Sequence, residues 1–488
     1  MMKRVQVIVW SLCVLLTGFA SSCSGQKGSP ELWLSDFSTL KEEMAAGYAN
    51  LEWAAQHNHI DIAALVRDTE AKLRKTKSAK KARRIITEFL EAFDDPHLRA
   101  KHTEPPSEST GLGAGWTGPA NTASSKDALE AFGYRKGKFD FGVEFESLDG
   151  FRRLPDGGNP FPAGVLALDD GRKIGVIRIE YFGEDRYYDA AARTWEEYRS
   201  GIDSTCDQGC WWRFTLRVRT RLMEYLEARL NQLAKARVEA VAVDITGNGG
   251  GSEWCEDVAQ LFTTDTLRPP PAGFVKHEHW SRQIETELKW IEEDLGRDDL
   301  TPEIRAMLEE TQATHNRLLE EIRAGCDGSA VWRDEHPAEC DRLAYDEHGR
   351  YVVPENDDGL AATLKSEHIL FRRSRHPDFV AMYDGPLFVV IDGGTASASE
   401  QFATLLQYNR SATIVGERSY GAGCGYTRGG IKLYLENTGL RVWMPDCVRV
   451  RADGVNELSG IDPDVAGWDP GERGKDRARS LARVLQTM

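Results

Sequence analysis

The chain has 488 residues, 41% of them apolar and 28% charged, with a mean hydropathy of −0.46. That is enough to bury about two to four structural units without disulfides or metal to staple them. A formal charge of −16 argues against a nucleic-acid-binding surface or a polybasic membrane patch, and the hydropathy excludes a polytopic membrane protein.

Residues 1–22 read as an export signal. Met1-Met2-Lys3-Arg4 is a short basic start, Val5 to Ala20 is mostly apolar, and the small residues Ser21-Ser22 precede Cys23. The run is too short and too interrupted for a transmembrane span. It resembles a bacterial lipobox, with Ala20 where Leu is usual. That resemblance implies lipidation of Cys23, cleavage by an ordinary signal peptidase being the alternative. The expected location is the bacterial cell envelope, with membrane association only through this N-terminal anchor. Export permits disulfides. Of nine cysteines, Cys206/Cys210 and Cys326/Cys340 form plausible local pairs. No second Cys or His pair accompanies Cys206-x3-Cys210, so no metal is expected.

Residues 23–105 form a tether (24–36) and a helical N-terminal region. Leu40, Met44, Tyr48 and Leu51 recur at helical spacing, as do Ile85, Ile86, Phe89, Leu90 and Phe93. Residues 106–172 read as a loop/β linker region, with strands at 139–148 and 163–168. Residues 173–268 and 378–470 carry the α/β pattern. Apolar strands at 173–179, 239–245, 386–391 and 412–415 alternate with helices, one marked by Leu222, Leu226, Leu230 and Leu233 and another starting near Glu253. Unbroken apolar strands between helices argue a parallel-rich sheet covered on both faces. Residues 269–377 interrupt it as a helical insertion. Trp280, Ile284, Leu288, Ile291 and Leu295 mark one helix, and Thr301-Pro302-Glu303 starts the next. Its charges suit a solvated outer face; a functional role would be that of a lid. Residues 471–488 form a C-terminal helix.

Two strand–glycine–helix junctions carry the chemistry. The first runs Asp244-Ile245-Thr246-Gly247-Asn248-Gly249-Gly250-Gly251-Ser252. It lacks the Gly-Lys-Ser/Thr of a phosphate loop and the third glycine of a dinucleotide fingerprint, so nucleotide binding is disfavoured and a tight turn is the competing reading. The second runs Asp392-Gly393-Gly394-Thr395-Ala396-Ser397-Ala398-Ser399-Glu400. Ser397 sits at a helix N-terminus, where free N–H groups favour a developing negative charge. A mere N-cap is the competing reading here.

Together these segments resemble the C-terminal processing, or tail-specific, serine peptidase family. Its core joins Asp-Leu-Arg-x-Asn-x-Gly-Gly to a later Thr/Ser-Ala-Ser-Ala-Ser-Glu. Val415-Gly416-Glu417-Arg418-Ser419-Tyr420-Gly421 and Gly460-Ile461-Asp462-Pro463-Asp464-Val465 resemble its next two motifs. The resemblance covers residues 85–100, 173–268 and 380–466, and implies a crotonase-like α/β core. It also implies Ser397 as nucleophile and an oxyanion hole from Ala398 and the Gly250–Gly251 region, with no cofactor.

The best-known members use a Lys in Phe-Gly-Lys-Gly. Here that run is Tyr420-Gly421-Ala422-Gly423, so Ala422 replaces the lysine. A second branch, including the tricorn core protease, uses His. Phe93-Asp94-Asp95-Pro96-His97-Leu98 resembles its turn and makes His97 the expected base, since an imidazole accepts a proton near neutrality. In that branch a Glu orients the His through a Ser. Glu457 matches the Glu, but the relay position is Pro96; Asp94 or Asp95 could substitute. The expected function is an exported serine endopeptidase acting on peptides or proteins. The rival is a catalytically inactive member that binds peptides or envelope partners. A crotonase-type acyl-CoA enzyme is disfavoured by export.

Overall fold

The structure is a computed structural model that describes residues 28–103, 123–202, 206, 208–265, 267–326, 328–333, 341–346, 359–370 and 382–488. The signal segment, Cys23 and Cys340 lie outside the described residues. Among the described residues no helix is long and apolar enough to cross a membrane.

Four helices open the described chain: α1 (Pro30–Gly47), α2 (Leu51–His57), α3 (Ile62–Arg74) and α4 (Ala79–Glu91). The expected tether therefore ends before residue 30. Pro30 opens α1, and Trp33 and Phe37 are buried one turn apart. The short strand β1 (Arg99–His102) follows, then α5 (Ser125–Ala131), β2 (Phe151–Arg153), β3 (Ala163–Ala167) and β4 (Lys173–Arg178). The strand expected at 139–148 is absent. The Gly142 N–H donates to Asp244 Oδ2 at 2.8 Å instead of joining a ladder, and residues 145–147 form a single helical turn.

Next come α6 (Tyr188–Tyr198), the long α7 (Gln208–Lys235), β5 (Ala240–Asp244) and α8 (Trp254–Gln260). The insertion contributes β6 (Ala272–Val275), α9 (Glu278–Leu295), α10 (Pro302–Ala324), β7 (Leu343–Asp346) and α11 (Glu367–Leu370). As Thr301-Pro302 suggests, Thr301 Oγ1 caps α10 by accepting from the Ile304 N–H at 3.2 Å. The chain then continues through β8 (Leu387–Ile391), α12 (Ala398–Tyr408), β9 (Thr413–Gly416), β10 (Ile431–Leu435) and β11 (Leu440–Met444). The last elements are β12 (Cys447–Arg449), β13 (Val465–Ala466) and α13 (Gly474–Thr487).

The architecture is mixed α/β, and its main sheet has seven strands in the order β13-β9-β8-β5-β4-β3-β2. Pairs from β13 to β4 are parallel, and β4-β3-β2 is antiparallel. Every residue of β5 and β8 is buried, as a parallel sheet covered on both faces requires. One face packs Phe214, Leu226 and Phe402 against Val241 and Val389. The other is closed by Ala478, Leu481 and Leu485 of α13.

A second apolar cluster joins the N-terminal helices to β10, β11 and the insertion, through Phe37, Phe89, Phe93, Trp280, Leu319 and Val442. The insertion is thus partly woven into the body: β6 pairs with both β12 and β7. Two disulfides are described. Cys206–Cys210 is one of the expected pairs, and Cys424–Cys447 is an additional one.

Candidate active site

Adjacent parallel strands bring the two glycine junctions side by side, because β5 and β8 pair and both loops leave from the same strand ends. Cross-bonds lock the loops together. The Gly247 N–H donates to Asp392 Oδ1 at 2.6 Å, Thr395 Oγ1 to the Ile245 carbonyl at 3.1 Å, and the Ala396 N–H to the Asn248 carbonyl at 2.9 Å. Gly250 then lies against the serine. A Cβ there would meet Ser397 Cβ at 2.8 Å and Ala398 N at 3.0 Å, so only glycine fits.

Ser397 precedes α12 with φ 57° and ψ −118°. A non-glycine residue in such a region costs about 1–3 kcal/mol and persists only where the surroundings hold it. The N-cap reading is therefore insufficient on its own, because an ordinary cap is extended. The Ser397 N–H donates to Glu400 Oε2 at 2.8 Å. The Ala398 N–H, at the first turn of α12, has no acceptor among the described hydrogen bonds. The Gly250 N–H does have one, Asn248 Oδ1 at 3.0 Å.

His97 comes from the second cluster. Phe93 is buried there, and β1, two residues beyond the histidine, pairs with β11. Asp95 shapes the turn: its Oδ1 accepts from the His97 N–H at 2.9 Å, and its Oδ2 from Tyr48 Oη and Asn50 Nδ2 at 2.9 and 3.0 Å. Burial raises the Asp95 carboxyl to about 6.

The imidazole is half-buried. Its Nδ1 lies 2.9 Å from the Ala422 carbonyl, which can only accept, so Nδ1 carries the proton and Nε2 the lone pair. Gly425 presses on the same ring: a Cβ there would lie 2.8 Å from Nε2. Burial, with smaller contributions from the cations Arg449 and Arg99, pushes the imidazole down to about 4, against the Ala422 carbonyl.

Among the described residues no hydrogen bond joins His97 to Ser397. They meet through Glu400. Its Oε2 accepts from the N–H groups of Ser397 (2.8 Å), Ala422 (2.9 Å) and Gly423 (3.3 Å). Its Oε1 accepts from Ser419 Oγ (2.5 Å) and the Gly421 N–H (2.7 Å). Burial and the nearby Glu457 carboxylate push Glu400 up to about 7, with these donors pulling the other way.

Glu457 is buried but does not touch His97. Its Oε1 accepts from Thr404 Oγ1 at 2.7 Å, and its Oε2 from Arg449 Nε. What holds the histidine ring is the carbonyl of Ala422. Sequence reasoning does not reach Glu400, Arg449 or that carbonyl as site groups. Glu400 has a signal, as the acid three residues after Ser397 in a capping-box spacing. Arg449 has none. Among the described residues no cluster of His, Cys, Asp or Glu could hold a metal.

Residues 173–466 match the model of peptidase family S41. The chain belongs to this family and is a serine peptidase, whose substrates are peptides or proteins. Among solved structures it resembles mature CPAF at 16% identity and a TM-score of 0.54, covering 94% of this chain and 96% of that one. Mature CPAF complexed with lactacystin gives 16% identity and a TM-score of 0.56, covering 94% and 97%. At that identity the likeness concerns the fold. No curated protein sequence matches the chain.

Proposed function

We propose that the protein is an exported serine endopeptidase in which Ser397 is the nucleophile and His97 the general base. The observation that carries this reading is the His97 ring: Nδ1 is bound to Ala422, leaving Nε2 to accept a proton, while Ala422 and Ser397 share one carboxylate oxygen of Glu400. Ser397 Oγ attacks the peptide carbonyl and its proton passes to His97 Nε2. The tetrahedral oxyanion is met by the Ala398 N–H, with the side-chain-free Gly250–Gly251 segment opening the space beside it. His97 then gives the proton to the leaving amine, and water releases the acyl-enzyme by the same route in reverse. A direct Ser–His hydrogen bond often tightens only around substrate. Lipidation of Cys23 would hold the enzyme at the cell envelope.

The test is cleavage of a diverse peptide pool by the mature protein, read by mass spectrometry, beside Ser397→Ala and His97→Ala. Both variants should lose cleavage. Loss with Ser397→Ala alone would discard His97 as base. No cleavage by the parent, with no labelling of Ser397 by a fluorophosphonate, would favour the peptide-binding alternative. Fractionation of a Cys23→Ser variant, expected to leave the membrane, tests the anchor.

A further inference from the structure

The mechanism above gives no part to two charges inside the site, the partly buried Arg449, with 12% of its side chain exposed, and the buried Glu457, with none. Every donor nitrogen of Arg449 is used inside the site. Nε donates to Glu457 Oε2, and Nη1 to Gln401 Oε1 at 3.4 Å. Nη2 donates to two carbonyls, Ser397 at 3.2 Å and Gly423 at 2.9 Å. Glu457 returns to the helix that Ser397 opens, through Thr404 Oγ1.

A buried ion pair is a weak stabiliser, because desolvation offsets its attraction. Its geometry here does something else. The peptides of Ser397 and of Gly423 are each held from two sides. Glu400 takes their N–H groups, and Arg449 takes their carbonyls. Ala422, between Gly421 and Gly423, is left with its carbonyl available to His97. A planar guanidinium can reach both carbonyls and the carboxylate at once; an ammonium on a flexible stem cannot hold that fork.

We propose that Arg449 is a positioning residue that fixes the Ser397 peptide against the loop holding His97, and that Glu457 serves the reaction by holding Arg449 rather than by orienting His97. This rests on Ser397 as nucleophile and His97 as base.

The experiment measures kcat and KM on a peptide identified from the pool, and the rate of Ser397 labelling by a small fluorophosphonate. It uses the full chain as parent, Arg449→Met, Glu457→Gln, the double variant, Arg449→Lys and His97→Ala. Arg449→Met should lower kcat and labelling about 10²-fold, as a misplaced reacting group does. KM should stay within about twofold of the parent, because the lost contact is not to substrate. Arg449→Lys should recover about tenfold of the loss by restoring the charge without the fork. The double variant should be no slower than Arg449→Met, since both changes break one clamp.

A single variant leaves a buried charge unpaired and can fail to fold. In that case the double variant decides: a loss of about 10²-fold with a parent-like melting profile supports the clamp, and a parent-like kcat overturns it. Losses that multiply in the double variant, or a loss confined to KM, also overturn it. Full activity in His97→Ala would remove the base while leaving the Arg449 cycle to judge the clamp.

Discussion

The His97 ring is held neutral by its surroundings. It is desolvated, its Nδ1 is committed to Ala422, and Arg449 and Arg99 lie near enough to oppose a second proton. A base must be unprotonated to work, so activity falls as pH drops through its value in the folded enzyme. The acid limb of kcat/KM should therefore lie near pH 4, and a limb near the ordinary imidazole value would contradict the buried ring as base. The same shift bears on stability. The folded value is depressed, so between 6.5 and about 4 the unfolded chain holds a proton that folded His97 refuses. This group's contribution thus turns against the fold as pH falls through that window. A urea titration at stepped pH, with and without His97→Gln, reads it.

At the scale of elements, the segment from Ser419 to Gly425 organises the site, although it contains no helix or strand. It bonds Glu400 through Ser419, Gly421, Ala422 and Gly423, and contacts His97 through Ala422 and Gly425. Its far end is stapled to β12 by Cys424–Cys447, two residues before Arg449. Closing a loop of this sequence separation, 23 residues, is worth about 3 kcal/mol in the chain-entropy view. The four-residue separation of Cys206–Cys210 should be worth about 1.5 kcal/mol less on the same scale. Paired Cys→Ala variants at each site, compared by thermal melting, should rank in that order. Only the Cys424→Ala/Cys447→Ala variant should also lower kcat, because only it loosens the carbonyl that holds His97.

At the scale of the whole molecule, the machinery is divided between two apolar clusters. Ser397 stands on the sheet, and His97 on the layer of N-terminal helices. Phe89, buried between Phe37 and Phe93 at centroid distances of 4.8 and 5.5 Å, belongs to the second. Phe89→Ala should cost about 3–5 kcal/mol and lower the urea midpoint for activity at least as far as the midpoint for unfolding. An activity midpoint that stays at the parent's value would show that the helical layer does not hold the base. Much of the sheet is legible in the sequence, because β4, β5, β8 and β9 are unbroken apolar runs whose burial leaves no polar alternation to misread. The two glycine junctions and the Phe93–Leu98 turn are legible as ordered motifs. Residues 30–36 read as tether although Ser29-Pro30-Glu31 has the form of a helix start, because polar Ser35 and Asp36 dilute the apolar spacing. The strand expected at 139–148 fails because a distant carboxylate, Asp244, takes its N–H groups. Arg449 is invisible for the same physical reason: its partners at Ser397 and Gly423 lie 52 and 26 residues away, and nothing local distinguishes it from any strand arginine.

The bond between His97 and Ala422 spans 325 residues of chain. During synthesis the histidine therefore waits through most of translation for its partner, and Glu457 emerges later still. A nascent chain that ends between Ser397 and Ala422 carries the serine without the carbonyl that seats its base. Contacts of such long range form late, after their loop-closure entropy has been met. The order of synthesis thus postpones assembly of the site until the chain has been made past Ala422, and chains that end before it should lack hydrolytic competence.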